Sequence, residues 1–368
     1  MNKPDSSPRN SSPISDDERI LGLRMQLKSP KPDLRIQAVE RLGEMGETAK
    51  VAVPDLLLLL QDVNLDVQIT AIKTLSEMKS QATIIEPHLI SLLKHTHPDL
   101  RGYAARSLGA LADSRRNDIA RKKDIVFHLS KLLDDRYLYV RVEALSALRS
   151  MGDDAQTIIP QLLPLFKSPS TSVRFAAIGT LRGIGQSDRF LTVELLPLLK
   201  DADPMVRLAT LDTIGSTPKS IPYFLPHITP LLKDPVPEIR AATIEALVEM
   251  RNPNAISVRD VLPLLFDSNS SVSVRAGKMI MSLKLEDSPE FRTEIQKVNR
   301  DLEAISKLPA EKAIAEIRSR LKNSDSLIQA SARIALFNLG RTAKVTPSQI
   351  STLLNAVDPS VWTRSNES

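Results

Sequence analysis

Five histidines, His88, His95, His97, His128 and His227, are the side chains of this 368-residue sequence best suited to proton transfer or metal binding, and none stands beside a glutamate. His95 and His97 have the spacing to chelate a cation at a turn, but a metal site needs at least a third protein ligand and none is evident nearby. The absence of cysteine removes disulfides, thiolate metal sites and a cysteine nucleophile. There is no glycine-rich phosphate loop, no Gly-x-Ser-x-Gly elbow and no Cys-x-x-Cys pair. Aspartate and glutamate are plentiful, yet nothing singles out two of them as a catalytic pair. The residues therefore offer no catalytic group, no metal site and no cofactor site, and leave enzymatic activity unsupported.

What recurs instead is an arginine. Arg141, Arg174, Arg207 and Arg240 follow one another at intervals of 33 residues. Arg101 lies 40 before Arg141, and Gln68 and Arg35 continue the 33-residue step backwards. Ser273 stands 33 beyond Arg240, and Gln329 opens one last copy. A fixed period of this size predicts a stack of helical pairs, each unable to bury its apolar face alone.

Each copy begins with an apolar run such as Leu195, Leu196, Pro197, Leu198 and Leu199, which suits a helix flanked by others. A turn follows. Pro32, Pro98, Pro204 and Pro237 stand three residues before the marker, where the first turn of a second helix tolerates a missing amide hydrogen. From the marker onward apolar residues recur at plus 3, 4, 7 and 10: Ala38, Val39, Leu42 and Met45 in the first copy, Ala177, Ile178, Leu181 and Ile184 in the fifth. That spacing predicts one face of an α-helix.

A cation in the first turn of a helix sits at the unfavourable end of the macrodipole, so the marker arginines need carboxylate partners. Asp62, Asp135, Asp201, Asp234 and Asp267 stand six residues before the marker in five copies, near enough to pair with an arginine of the same or the next copy. Asp135, Arg141, Arg174, Asp201, Arg207, Asp234 and Arg240 are thus expected to form a structural ladder tying the turns together. Ser29, His95, Ser168 and Asn323 interrupt it.

A proline-punctuated first helix, an aspartate, then Val-Arg opening a second helix that ends in glycine, as in LLPLLKDADPMVRLATLDTIG, resembles a HEAT repeat. The match covers most of residues 20–284 and again 309–340. Its period is shorter than the roughly 40–47 residues usual for HEAT and armadillo units and is similar to that of the compact bacterial HEAT-like repeats of the phycobilisome lyase group. The resemblance implies an all-α fold, a right-handed α-α superhelix of about nine helical pairs. The Thr-Pro-Leu-His phrase of ankyrin and the tryptophan–tyrosine pattern of tetratricopeptide units are absent. Two-iron enzymes of this fold hold their metal with repeated His-Glu pairs, so the likeness to deoxyhypusine hydroxylase stops at the fold. HEAT-like DNA glycosylases place a tryptophan in the groove, whereas Trp362 lies in a tail. Phycobilin lyases of the group carry no recognisable catalytic motif, so that reading stands on resemblance alone. Many unrelated functions use this fold.

A solenoid grows by addition, so length does not count its domains. Residues 1–16, rich in Ser and Pro, are expected to form a disordered tail without the apolar centre of a secretory signal. Residues 17–284 carry repeats one to eight. Residues 285–307 add a helix that interrupts the array, 308–358 hold a ninth repeat and a capping helix, and 359–368 a second tail. No run approaches the 18 or so apolar residues of a membrane span, so the protein is expected to be cytoplasmic. Seven extra residues follow the third copy, in a stretch at 112–124 that is expected to be a solvated loop. Its Arg115, Arg116, Arg121, Lys122 and Lys123 are candidate contacts for a polyanion. A formal charge of +5 from 49 basic and 44 acidic residues permits a nucleic-acid partner without favouring one.

On each second helix the core positions leave marker plus 1, 2, 5 and 9 facing outward. At plus 1 stand Ile36, Ile69, Gly102, Val142, Phe175, Leu208 and Ala241, an apolar row that either contacts neighbouring repeats or lines the concave groove of HEAT-like arrays. Val142, Ser146, Phe175, Gly179, Leu208, Asp212, Ala241 and Glu245 are the candidate partner-binding residues. Small neighbours, Ala176, Gly179 and Gly183, are expected to leave room beside Phe175. Such a channel suits a helix or extended peptide better than a nucleic-acid backbone. The leading expectation is a non-enzymatic scaffold or adaptor for another protein. The alternatives are a lyase-like or chaperone subunit acting on tetrapyrrole-bearing light-harvesting proteins, and nucleic-acid binding through residues 112–124.

Overall fold

The structure is a computed structural model that describes residues 15–112, 118–185, 194–215, 221–249, 256–323 and 325–341. All regular elements among them are helical. The chain divides into two units, residues 1–186 and 187–368.

In the first unit the second helices of successive copies are α2 (Pro32–Glu44), α4 (Leu65–Glu77), α6 (Pro98–Ala112), α8 (Leu138–Ser150) and α10 (Thr171–Gly183), each packed on the one before. The first helices are α1 (Asp16–Gln26), α3 (Val53–Leu58), α5 (Ala82–Leu92), α7 (Ile119–Ser130) and α9 (Ile159–Leu165). The second unit has α11 (Pro204–Gly215), α12 (Ile221–Ile228), α13 (Pro237–Glu249), the short α14 (Val258–Val261) and α15 (Ser270–Ser282). It ends with α16 (Pro289–Ser306), α17 (Ala310–Leu321) and α18 (Ser326–Arg341). The expected capping helix after residue 346 lies outside the described residues.

The first helices of several copies tighten into 3₁₀ turns, at Leu59–Gln61, Leu196–Lys200, Thr229–Lys233 and Leu262–Phe266. In the last three, proline sits at the start of the turn, where its missing amide and bulky ring oppose a continued α-helix. Each turn ends on an aspartate in extended conformation. The Oδ1 of Asp62, Asp135, Asp201, Asp234 and Asp267 accepts the backbone N–H two residues on, at 2.8–3.0 Å. This side-chain turn delivers the chain into the second helix.

Ala38, Val39, Leu42, Ala177, Ile178, Leu181 and Ile184 are buried, as the helical spacing predicts. Gly46, Gly152 and Gly185, eleven residues after the marker, close their helices with φ of 54°, 57° and 72°. Lys284 occupies the same place in the eighth copy with φ 51°, so that copy keeps the frame with Ser273 in the marker position.

A second inter-repeat tie joins the second helices, one that the repeat pattern does not reveal. Thr180 Oγ1 donates to the Leu145 carbonyl at 2.9 Å, and Thr74 and Ser107 reach the Val39 and Ile72 carbonyls at 3.5 Å. Each stands at marker plus 6 and reaches plus 4 of the preceding repeat. Close approach of the backbones makes this possible. A Cβ on Gly109 would stand only 2.8 Å from the Ala147 Cα.

Candidate interaction surfaces

The marker arginines reach forward. Arg35 Nη2 donates to Asp62 at 2.7 Å. Arg101, Arg207 and Arg240 each grip the aspartate of the following repeat, Asp135, Asp234 and Asp267, through Nε and Nη2 at 2.7–2.9 Å. At the same time the Nη1 of each of the four donates to a carbonyl at its own turn, those of Ser29, His95, Asp201 and Asp234. Arg141 and Arg174 make the same own-turn bond, to Asp135 and Ser168. Where Arg141 would find its forward carboxylate stands Ser168. The gripped aspartates are consumed twice over, by the turn amide and by the guanidinium, which leaves the ladder with structural work and no carboxylate set aside for a ligand.

His95 and His97 belong to the turn before α6. His95 Nδ1 accepts the His97 amide at 3.0 Å, and His97 Nδ1 accepts the Asp99 amide at 3.3 Å. Among the described residues no three histidine, aspartate or glutamate side chains converge to hold a metal.

The basic stretch is not the expected loop throughout. Arg115 and Arg116 lie outside the described residues, but Arg121, Lys122 and Lys123 are in α7, whose start is capped by Asp118 accepting the Arg121 amide. Ile125, Val126 and Leu129 bury one face of this helix, which is why the segment is held. Arg121 is bound to Glu86, a carboxylate only 1% exposed, and Lys122 Nζ lies 3.0 Å from Asp154. Only Lys123 of the three is exposed.

The candidate partner-binding residues fall four to each unit. In the first, Ser146 and Phe175 are exposed and Val142 half-buried. Phe175 shows 40% of its surface. The space beside it is not empty. Arg149 of α8 lies along Gly179 and Gly183 of α10: a Cβ on Gly183 would stand 2.6 Å from Arg149 Cγ, and one on Gly179 would stand 3.6 Å from its Nη1. The glycines make room for a neighbour's arginine rather than for an open slot.

The same face of α6 and α8 carries an aromatic cluster outside the predicted set. Tyr103 and Tyr139 meet edge to face at 6.2 Å between ring centres, and the Tyr139 ring covers Gly102 so closely that a Cβ there would stand 2.3 Å from Cε1. Lys73 Nζ lies 4.8 Å above the Tyr103 ring, with the Arg106 guanidinium at 5.9 Å. Arg106 is held by Glu143 through two bonds of 2.8 and 2.5 Å, which raises its already high pKa further. Burial, reinforced by the Glu143 carboxylate, pushes the Tyr139 phenol up to about 12.

In the second unit Leu208, Asp212, Ala241 and Glu245 line one cavity of about 290 Å³ on α11 and α13, together with Asn269, Ser271 and Arg275. Leu208 and Ala241 also pack against the core, so the plus 1 row serves contact between repeats and the surface at once. A second cavity of about 580 Å³ lies between α13 and α15, with Val248, Val274 and Met279 as apolar walls and Glu249 and Lys278 as charged ones. Glu245, Ser271 and Arg275 line both cavities, and a 2.6 Å ion pair between Arg275 Nε and Glu245 marks their boundary. Arg275, two residues out of the marker register, is thus a surface arginine rather than a ladder member.

The family described as Adaptin N terminal region matches this chain over residues 49–289. No curated protein matches. Among solved structures, YibA of Escherichia coli is similar at 18% identity and a TM-score of 0.55, with 74% of this chain and 93% of that one covered. The complex of CpcE and CpcF of phycocyanin lyase from Nostoc sp. PCC7120 aligns at 20% identity over 77% of this chain and 100% of that one, with a TM-score of 0.41. An engineered protein aligns at 21% identity over 63% and 96%, with a TM-score of 0.40. The YibA likeness shows a shared fold.

Proposed function

Because the chain belongs to the adaptin N-terminal region family and is built as a HEAT-like solenoid, we propose that it is a non-catalytic scaffold that holds another protein against the outward side of its second helices. The observation that carries this reading is the pair of cavities on α11, α13 and α15, lined by Leu208, Asp212, Ala241 and Glu245 and extended by Val248 and Val274. The larger cavity has mainly apolar walls and the smaller one mainly polar and charged walls, a mixture that suits one face of an amphipathic helix or the alternate side chains of an extended segment.

Crosslinking capture from native lysate tests it, with the intact chain compared with Leu208→Glu and Asp212→Arg. The partner band should disappear from both variants while circular dichroism shows them still folded; Leu208→Glu should melt lower than the parent, because Leu208 also packs against the core. Undiminished capture by the folded variants would remove this face from the partner site. The polyanion reading draws no support from Arg121 and Lys122, since both are engaged by carboxylates of the chain itself. The lyase reading has only the sequence resemblance behind it.

A further inference from the structure

In the first unit the outward side of α4 to α10 combines cations that have no carboxylate partner with exposed or half-exposed rings. Lys73 and Arg149 make no ion pair among the described residues. Each is nevertheless held in place, Lys73 over Tyr103 and Arg149 along Gly179 and Gly183. Gly179 lies one helical turn from Phe175, so the guanidinium and the exposed ring share one face. The carboxylates nearby form no ion pair with either cation. Glu143 is taken up by Arg106, Asp99 lies 3.8 Å from His97, Glu77 stands one turn from Lys73 on α4 without pairing with it, and Glu40 and Glu44 lie on α2. The ring faces are also partly spoken for. Tyr103 is covered by cations and Tyr139 lies on Gly102, which leaves Phe175 in place of the row of stacking platforms a nucleic-acid strand uses.

We propose that Lys73, Tyr103, Tyr139, Arg149 and Phe175 form a docking site for an acidic peptide segment of a partner protein, its carboxylates meeting Lys73 and Arg149 and one aromatic or aliphatic side chain meeting Phe175. The four helices α4, α6, α8 and α10 are consecutive neighbours, so at about 8–10 Å per step the site spans about 24–30 Å. An extended segment of about seven to nine residues, at about 3.3 Å each, covers that length. The site lies on a different unit from the cavities at Leu208 and Glu245 and goes beyond the function proposed for them.

The test pans a phage library of random twelve-residue peptides on the immobilised full chain, then measures the recovered peptides by fluorescence anisotropy. The expected result is enrichment of peptides with net negative charge and at least one large apolar residue. Their affinity should fall at least tenfold in Lys73→Glu/Arg149→Glu, severalfold in Phe175→Ala, and not at all in Leu208→Glu, with helical circular dichroism unchanged throughout. Enrichment of neutral or basic peptides, no enrichment, or indifference of acidic peptides to the double charge reversal would each overturn the proposal. So would tighter binding of a thymidine dodecanucleotide lost in the same double variant, which would make the surface a nucleic-acid site. If acidic peptides fail while Leu208→Glu still abolishes partner capture, this inference falls and the proposed function stands. If acidic peptides bind as expected while Leu208→Glu leaves capture intact, the docking site stands and the cavities lose their role.

Discussion

Arg207 closes a two-toothed grip on Asp234, 27 residues further along the chain, with Nε and Nη2 at 2.8 and 2.9 Å from the two carboxylate oxygens and both side chains buried. One residue thereby fixes the angle between two repeats, since its third nitrogen is tied to its own turn through Asp201.

Removing both sides of that grip should cost less than the two separate losses added together. Asp234→Ala leaves a buried guanidinium without its counter-charge and is expected to cost about 3–5 kcal/mol, whereas Arg207→Met/Asp234→Ala should cost less than the sum of the single changes. Urea unfolding of the three variants measures the coupling. Strictly additive effects would show that the pair is structurally idle.

Asp135 gives the ladder an acid sensitivity. Burial pushes its carboxyl up, but the Arg101 bonds, the Tyr137 amide and the nearby Arg136 charge together hold it below the usual aspartate range. A depressed folded pKa stabilises above the unfolded value of about 3.9 and loses that contribution as pH falls through the folded value. The stability difference between the parent and Asp135→Asn should therefore be full near neutrality and shrink below about pH 4. A difference that stays constant down to pH 2 or so would contradict this.

Tyr139 sets the opposite limit. Its phenol keeps its proton to about pH 12 in the folded chain, while an unfolded tyrosine releases it near about pH 10. Between those values the unfolded state binds fewer protons, so folding stability falls as pH rises. Phenolate absorbance should show a late titration step in the parent, and that step should vanish in Tyr139→Phe.

The two ends of the basic stretch should behave differently when reversed. Arg121→Glu places a second carboxylate against buried Glu86 and is expected to cost about 3–5 kcal/mol. Lys123→Glu, on the exposed side of α7, should stay within about 0.5 kcal/mol. Thermal melts of the two variants decide it. Equal tolerance of both would mean that α7 is not docked through Arg121.

The helical pairs are legible in the sequence because each copy repeats the same physical demands: an apolar stripe at plus 3, 4, 7 and 10, a proline that ends one helix, a glycine that ends the other. The ladder is legible as chemistry and not as connectivity. An arginine in a first turn needs a carboxylate, but its type and spacing do not tell that it takes the one 27 residues ahead, or 34 across the insert. The place of Arg149 is hidden for a related reason. An outward glycine such as Gly183 implies room, and a single helix does not tell which long side chain from the next helix fills it. The stretch ending at Asp124 reads as a loop by its charge, whereas Ile125, Val126 and Leu129 supply the buried stripe that holds residues 119–130 as a helix.

The joints of the first unit are not equal. Between the third and fourth copies three ion pairs cross, Arg101 to Asp135, Arg106 to Glu143 and Arg121 to Glu86. Between the second and third, Gln68 stands where the arginine would be and His95 where the aspartate would be, and among the described residues no ion pair crosses. An array built this way is not a uniform spring. Under tension or torque the strain concentrates where α4 meets α6, and the compliance of that joint should respond little to salt, because apolar packing, the Ser107 hydroxyl and the Lys73 contact with Tyr103 carry it.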